Sequence, residues 1–355
     1  MKIGIFDPYL DSLSGGEKYM LTAASCLSKK HSVYLFWDDK KVIKKAKNKF
    51  DIDLSRVKVV NNIFTPKISS GKRFLQSKKY DGILFLSDGS IPLVGCGLYL
   101  HFQFPVEWVN AKPIISRVKI KRAKRIICNS KFTKEYIDNK FGVNSLVIYP
   151  PIDDFKVQLS KKENAILNVG RYGKLSNGTS FKKQEFLIDA FKKMVDKGIS
   201  DWKLYLVISF ARKDFQDVQK LKKLAKGYPI EFFENLNLEE LKDIYTRSRI
   251  YWHAAGFGEN LALSPELAEH FGITTVEAMK NGLVPIVINA GGQREIVSDK
   301  IDGFLWKNES EIITLTQELM QDTELFKKLS QQAIKNSAKF SKKEFCAQIN
   351  EVFIK

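Results

Sequence analysis

The chain of 355 residues holds four cysteines, Cys26, Cys96, Cys128 and Cys346, and four histidines, and neither set shows the close spacing of metal ligands. Thiols so few and so scattered fit a reducing cytoplasm. No run approaches the roughly 18 consecutive apolar residues of a membrane span. The apolar stretch in MKIGIFDPYL is too short for a signal peptide and reads as a first strand. There is no internal repeat and no low-complexity segment. Also missing are a P-loop and a GxGxxG fingerprint, which argues against an ATPase or a dehydrogenase. The basic residues are not interleaved with stacking aromatics, so nucleic acid is an unlikely partner.

What is present is an ordinary globular composition, 44% hydrophobic and 28% charged, long enough for two domains with separate cores. The net charge of +18 is unevenly divided: residues 1–155 carry 27 Lys and Arg against 14 Asp and Glu. Such an excess suits an anionic membrane surface, an anionic acceptor or nucleic acid, or is simply a solvated lysine-rich face. Short apolar runs (KIGIFD, HSVYLFW, YDGILFLS, RIICNS, AILNVG, KLYLVIS, IYWHAA, LVPIVIN) alternate with helical patterns along the chain. That alternation predicts an α/β architecture of parallel sheets with helices on both faces. The polar stretch YPPIDDFKVQLSKKEN interrupts it, placing a boundary near residue 155. The expected organisation is an N-terminal domain over 1–155, a second over 156–340 and a last amphipathic helix over 341–355. Ser341 and Glu344 form a capping box for that helix, and Phe345, Ile349 and Phe353 give its apolar face.

PELAEHFGITTVEAMKNGLVPIV carries the sharpest signal. A helix is predicted from Thr274 to Asn281, ended by Gly282 and followed by a buried strand from Leu283 to Ile288. Glu269 then lies in the loop feeding the helix and Glu277 inside it. The free N–H groups of residues 272–275 make an anion site beside Glu269. A carboxylate next to an anion site suits a ligand with hydroxyls and phosphates, such as a sugar nucleotide, although acids near helix starts also arise from the macrodipole alone. In SLSGGEKY, Ser14 and Glu17 form a capping box that puts Gly15 and Gly16 in a first helical turn, open to a ligand. In NVGRYGKLSNGTSFKKQEFLIDAF, Arg171 follows a strand and Lys182 and Lys183 precede a helix, two cations that could clamp a diphosphate without a metal. Asp51 to Asp53, DID, imitates a metal-binding DxD but follows a lysine-rich helical stretch rather than a strand.

Together Glu269-x7-Glu277, VGR…KKQEFLIDAF, SGGEKY and IICNSKFTKEYI resemble the retaining family 4 glycosyltransferases of GT-B fold, and EHFGI is similar to the form seen in mannosyltransferases that build lipid-linked oligosaccharides. The motif order runs from residue 3 to about residue 345. The resemblance implies two Rossmann-like domains facing across a cleft. It implies that Arg171 and Lys182 bind the donor diphosphate and stabilise it as leaving group, that Glu269 contacts the donor sugar, and that Glu277 holds the ribose hydroxyls. Backbone around Gly15, Gly16, Gly272, Ile273 and Thr274 would cradle the phosphates, and His101 in YLHFQFP would face the sugar. Lys182 keeps the family's distance to LIDAF, with Lys183 as the alternative. The long connection WHAAGFGENLALSPELAEHF departs from many members and leaves the acceptor undefined.

The expected function is therefore a retaining transfer of a hexose, mannose among the choices, from a nucleotide sugar to a glycan or lipid-linked glycan, with no cofactor and no metal. Alternatives are an epimerase or phosphorylase on the same fold, or a non-enzymatic nucleic-acid-binding protein. The basic segment SRVKIKRAKR, Ser116 to Arg125, is expected to hold the protein peripherally on the anionic inner face of the cytoplasmic membrane.

Overall fold

The computed structural model describes residues 1–107, 113–153 and 162–354. It divides into two compact units: Met1–Pro151 with Lys342–Lys355, and Ile152–Ser341. Residue 155, where the sequence places the boundary, lies outside the described residues.

Unit 1 is built on seven parallel strands: β1 (Lys2–Phe6), β2 (Ser32–Phe36), β3 (Val57–Val60), β4 (Gly82–Leu86), β5 (Gly97–Phe102), β6 (Ala123–Cys128) and β7 (Leu146–Val147), in the order β3-β2-β1-β4-β5-β6-β7. Its helices are α1 (Gly15–Ser28), α2 (Val42–Phe50), α3 (Ser70–Ser77), α4 (Pro113–Ile120) and α5 (Lys131–Phe141). The strands read as continuous apolar runs because both faces are buried. Ile3 and Ile5 of β1, with Leu84 and Leu86 of β4, enter one core together with α1. Phe6, Ile83 and Phe85 alternate into the opposite core with Ile137 and Phe141 of α5.

Unit 2 has six parallel strands: β8 (Ala165–Arg171), β9 (Lys203–Ser209), β10 (Ile230–Glu234), β11 (Ile250–His253), β12 (Val284–Ile288) and β13 (Phe304–Trp306), ordered β10-β9-β8-β11-β12-β13. Between and after them run α6 (Gln184–Asp196), α7 (Phe215–Leu224), α8 (Leu238–Arg247), α9 (Ile273–Lys280), α10 (Gln293–Ile296), α11 (Glu309–Gln321) and α12 (Thr323–Ser337). Leu187, Phe191 and Met194 of α6 pack with Trp252 and Trp306 in this unit's core.

The chain ends in α13 (Lys342–Val352), which belongs to unit 1 and buries Phe345 and Ile349 against its α1-side core. A disulfide joins Cys26 of α1 to Cys346 of α13 across 320 residues of sequence, a pairing not expected of such widely scattered cysteines. Among the described residues no helix is long and apolar enough to cross a membrane.

Candidate active site

The carboxyl ends of β8, β11 and β12 converge on the start of α9. Gly272 precedes that helix with φ +118, and a Cβ there would sit 2.4 Å from Gln293 Nε2, so only glycine lets the chain enter the helix so close to α10. Gln293 in turn accepts the Thr275 hydroxyl at 3.0 Å. Tyr251 meets Thr274 Oγ1 at 2.7 Å, so the first turn is braced from β11 as well as from α10. Among the described residues no backbone carbonyl takes the N–H groups of Ile273 and Thr274, and unpaired first-turn donors favour an anion. Within the helix, Glu277 is buried and accepts the Tyr245 hydroxyl at 3.0 Å.

Glu269 stands just before that helix start. Its backbone carbonyl accepts the Gly292 N–H at 2.7 Å, which fixes the EHFG segment against the turn after β12. On the side chain, Oε2 receives both the Lys182 ammonium and His253 Nε2, the latter at 2.9 Å. Burial pushes the carboxyl up, but the Lys182 charge and the His253 hydrogen bond outweigh it and hold Glu269 well below the usual carboxylate range. Lys182 reaches this position because its stem lies across Gly170, where a Cβ would come within 2.9 Å of Lys182 Cγ.

Lys183, next in sequence, points elsewhere. It adopts a left-handed conformation with φ 57, pairs with Glu259, and lies 3.2 Å from Thr179 Oγ1. Asn177 also approaches Glu259, at 3.4 Å. Lys183 therefore fastens the polar loop after β8 to the long loop after β11, while Lys182 faces the acid. Arg171 is exposed at the end of β8, level with Ser209 of β9. The structure thus brings Lys182, Glu269, Gly272, Ile273, Thr274 and Glu277 into one neighbourhood of unit 2.

Gly15, Gly16 and His101 belong to unit 1. Gly15 and Gly16 open α1, where the Glu17 carboxylate accepts from the Ser14 backbone N–H and from the Ser12 hydroxyl. The Gly16 carbonyl accepts from Gln103 Nε2 at 3.0 Å. His101 is fully buried on β5, stacked on Tyr19 with ring centroids 4.1 Å apart, and its Nδ1 is 3.3 Å from the Ile127 carbonyl. Burial pulls its pKa down to about 3, against the hydrogen bond to Ile127. Asp51 closes α2 in a left-handed conformation, and Asp53 accepts the Ser55 N–H at 2.9 Å, so both ends of DID have local structural partners.

Two contributors were missed in the sequence: His253 and the Gly291–Gly292 turn. The ending of IYWH on a polar residue at a strand's carboxyl end was the available signal for the first. For the second it was a paired glycine directly after LVPIVIN.

The fold is that of GT-B glycosyltransferases. A glycosyltransferase from Rickettsia africae ESF-5 matches it with TM-score 0.77 at 16% identity, covering 99% of this chain and 97% of that one. Anabaena HepE in complex with UDP matches with TM-score 0.72 at 18% identity, over 99% of both chains. In sequence, the chain is similar to the GDP-Man:Man(3)GlcNAc(2)-PP-Dol alpha-1,2-mannosyltransferase of Xenopus tropicalis, 24% identical over 429 residues that span 97% of this chain and 85% of that protein. The Xenopus laevis protein of the same name is 23% identical over 82% of this chain and 74% of its own length. This chain belongs to the glycosyl transferases group 1 family, whose model matches residues 151–338. Membership makes it a glycosyltransferase and implies a nucleotide-sugar donor and a glycan acceptor.

Proposed function

We propose that the protein is a retaining, metal-independent hexosyltransferase of the family 4 EHFGI type, moving mannose from GDP-mannose to a lipid-linked glycan. The supporting observation is the grouping of Lys182, Glu269 and the open N-terminus of α9, with Glu277 one turn further along. When the bond from sugar to diphosphate breaks, negative charge collects on the departing phosphates. Lys182, once it leaves Glu269, and Arg171 bring cationic side chains to this charge, and the N–H groups of Ile273 and Thr274 are fixed positive ends that meet it without reorganising. Glu269 faces the sugar and Glu277 the ribose. His101 is fully buried and stacked on Tyr19 within unit 1. The choice of mannose, of a GDP donor and of a lipid-linked acceptor follows the curated relatives.

Peripheral attachment to an anionic leaflet of the cytoplasmic membrane is part of the proposal. On α4, Ile114, Ile115 and Val118 are 78%, 50% and 60% exposed, and Arg117, Lys121, Arg122, Lys124 and Arg125 around them are exposed too. Apolar residues at that spacing share one helix face, and a rim of cations complements anionic headgroups.

The test is transfer from a panel including GDP-mannose and UDP-glucose, with and without EDTA, and assignment of the product anomer by NMR. GDP-mannose should be the preferred donor, the anomer should be retained and EDTA should not matter. An inverted product, or activity lost to EDTA and restored by Mn²⁺, overturns the mechanism. Sugar interconversion with no acceptor would point instead to an epimerase.

A further inference from the structure

We infer that His253 is a positioning residue for Glu269, a neutral Nε2–H donor that keeps this carboxylate ionised and aimed once a diphosphate has drawn Lys182 away. The inference rests on the reading of Glu269 as the donor-facing acid. His253 is the last residue of β11, beside Val287 of β12 in the ladder, and only 1% exposed, so its ring is held from all sides. Its Nε2 lies 2.9 Å from Glu269 Oε2, the same oxygen that Lys182 approaches. No described hydrogen bond takes Oε1, which leaves that oxygen for a ligand.

A carboxylate only accepts, so the shared proton sits on Nε2 and Nδ1 is bare. Nδ1 is buried and without a partner among the described residues, which an unprotonated nitrogen tolerates better than an N–H or an imidazolium. Burial also pulls the His253 pKa down, against Glu269, so the ring is a neutral donor at pH 7.

Lys182 is the ammonium partner of Glu269, yet it is also the ammonium proposed for the diphosphate. A diphosphate carries more charge than one carboxylate and competes for it. Once Lys182 turns to the phosphates, Glu269, whose side chain is 17% exposed, keeps the His253 N–H as its donor. Without that donor the carboxylate would take up a proton and lose its orientation. The other titratable groups that feel its charge are Tyr251, whose hydroxyl is on Thr274, and His270, whose Nε2 is 3.1 Å from the Glu266 carbonyl.

The experiment compares His253→Ala, His253→Gln and Glu269→Gln with the wild type, using whichever of GDP-mannose and UDP-glucose is turned over. His253→Ala should lower kcat by about 10- to 100-fold, leave the donor KM within about 3-fold, and move the acid limb of the kcat profile up by about one pH unit or more. His253→Gln, whose amide can replace the Nε2–H, should recover most of kcat. Binding of GDP or UDP, which lack the sugar, should be unchanged in calorimetry. Nitrogen NMR of the folded wild type supplies a readout independent of the variants: the Nε2–H tautomer should persist when GDP or UDP is added. An unchanged acid limb and kcat in His253→Ala, or an Nδ1–H tautomer or imidazolium at pH 7, overturns the inference while an inactive Glu269→Gln leaves the site reading standing. A fully active Glu269→Gln would overturn the site reading itself.

Discussion

Lys182 and Lys183 show how one peptide bond separates two jobs. The left-handed turn at Lys183 sends consecutive side chains in different directions, one to Glu269 and the other to Glu259. Lys182→Ala and Arg171→Ala should each lower turnover on the order of 100-fold, because each removes a charge from the leaving diphosphate. Loss of the exposed Arg171 should leave the melting temperature unchanged, while Lys182→Ala, which leaves Glu269 its His253 donor, should lower it less than Lys183→Ala. Lys183→Ala should do the reverse. It leaves Glu259 with only the Asn177 amide, at 3.4 Å, in a mostly buried setting, so it should cost about 3 kcal/mol in denaturant unfolding and weaken turnover less. Near-normal turnover in Lys182→Ala, or a stable Lys183→Ala, would contradict this division. The acids divide likewise: Glu269→Gln should damage kcat with little effect on GDP affinity, whereas Glu277→Gln should weaken GDP itself in calorimetry. Equal weakening by both would refute the assignment of one acid to the sugar and the other to the ribose.

At the scale of elements, what was legible in the sequence was what local chemistry dictates. The strand runs, the Gly282 stop after α9 and the capping box of α1 depend on neighbours within a few residues, and they appear where pattern places them. The pairing of His253 with Glu269 was not legible, because a loop of irregular conformation brings them together and no periodicity spans it. The Cys26–Cys346 link was hidden for the same reason at greater distance, since only the return of α13 to unit 1 makes the thiols neighbours. Helix α4 was legible as a basic segment, but its exposed isoleucines were not, because apolar spacing on a helix ordinarily marks a buried face. That face gives an element-scale prediction. Replacing Ile114 and Val118 by Ser should reduce binding to phosphatidylserine vesicles in co-sedimentation without lowering the melting temperature, since both side chains are exposed. Replacing Arg117, Lys121 and Arg122 by Gln should reduce it further and flatten its salt dependence. Vesicle binding indifferent to salt and to both sets of changes would remove the membrane proposal.

For the whole molecule, each unit carries its own apolar core, and unit 1 buries two groups, Asp7 and His101, whose proton equilibria are displaced in opposite senses. Asp7, just after β1, is pushed up from 3.8 to about 8 by burial, against a hydrogen bond from the Tyr9 N–H and with added repulsion from Glu17 and Asp11. Its folded pKa is raised, so the stability it allows is fully present below about pH 4 and is lost as pH rises toward 8. His101 has the opposite sign: lowered from 6.5 to about 3, it leaves stability intact above 6.5 and removes it as pH falls toward 3. Between about pH 4 and 6.5 the two slopes oppose one another, and above that window the Asp7 loss stands alone. Asp7→Asn keeps an acceptor for the Tyr9 N–H and removes the charge. In calorimetry the variant's unit 1 transition should rise from pH 4 to 6.5 and then stay level, ending roughly 5 °C or more above the wild type at pH 8 and close to it at pH 4. Added GDP should raise the unit 2 transition in both proteins alike, because the proposed nucleotide contacts of Glu277 and Lys182 lie in that unit. A difference between Asp7→Asn and wild type that is the same at pH 4 and pH 8 would mean that Asp7 is ionised in the fold and would overturn this account.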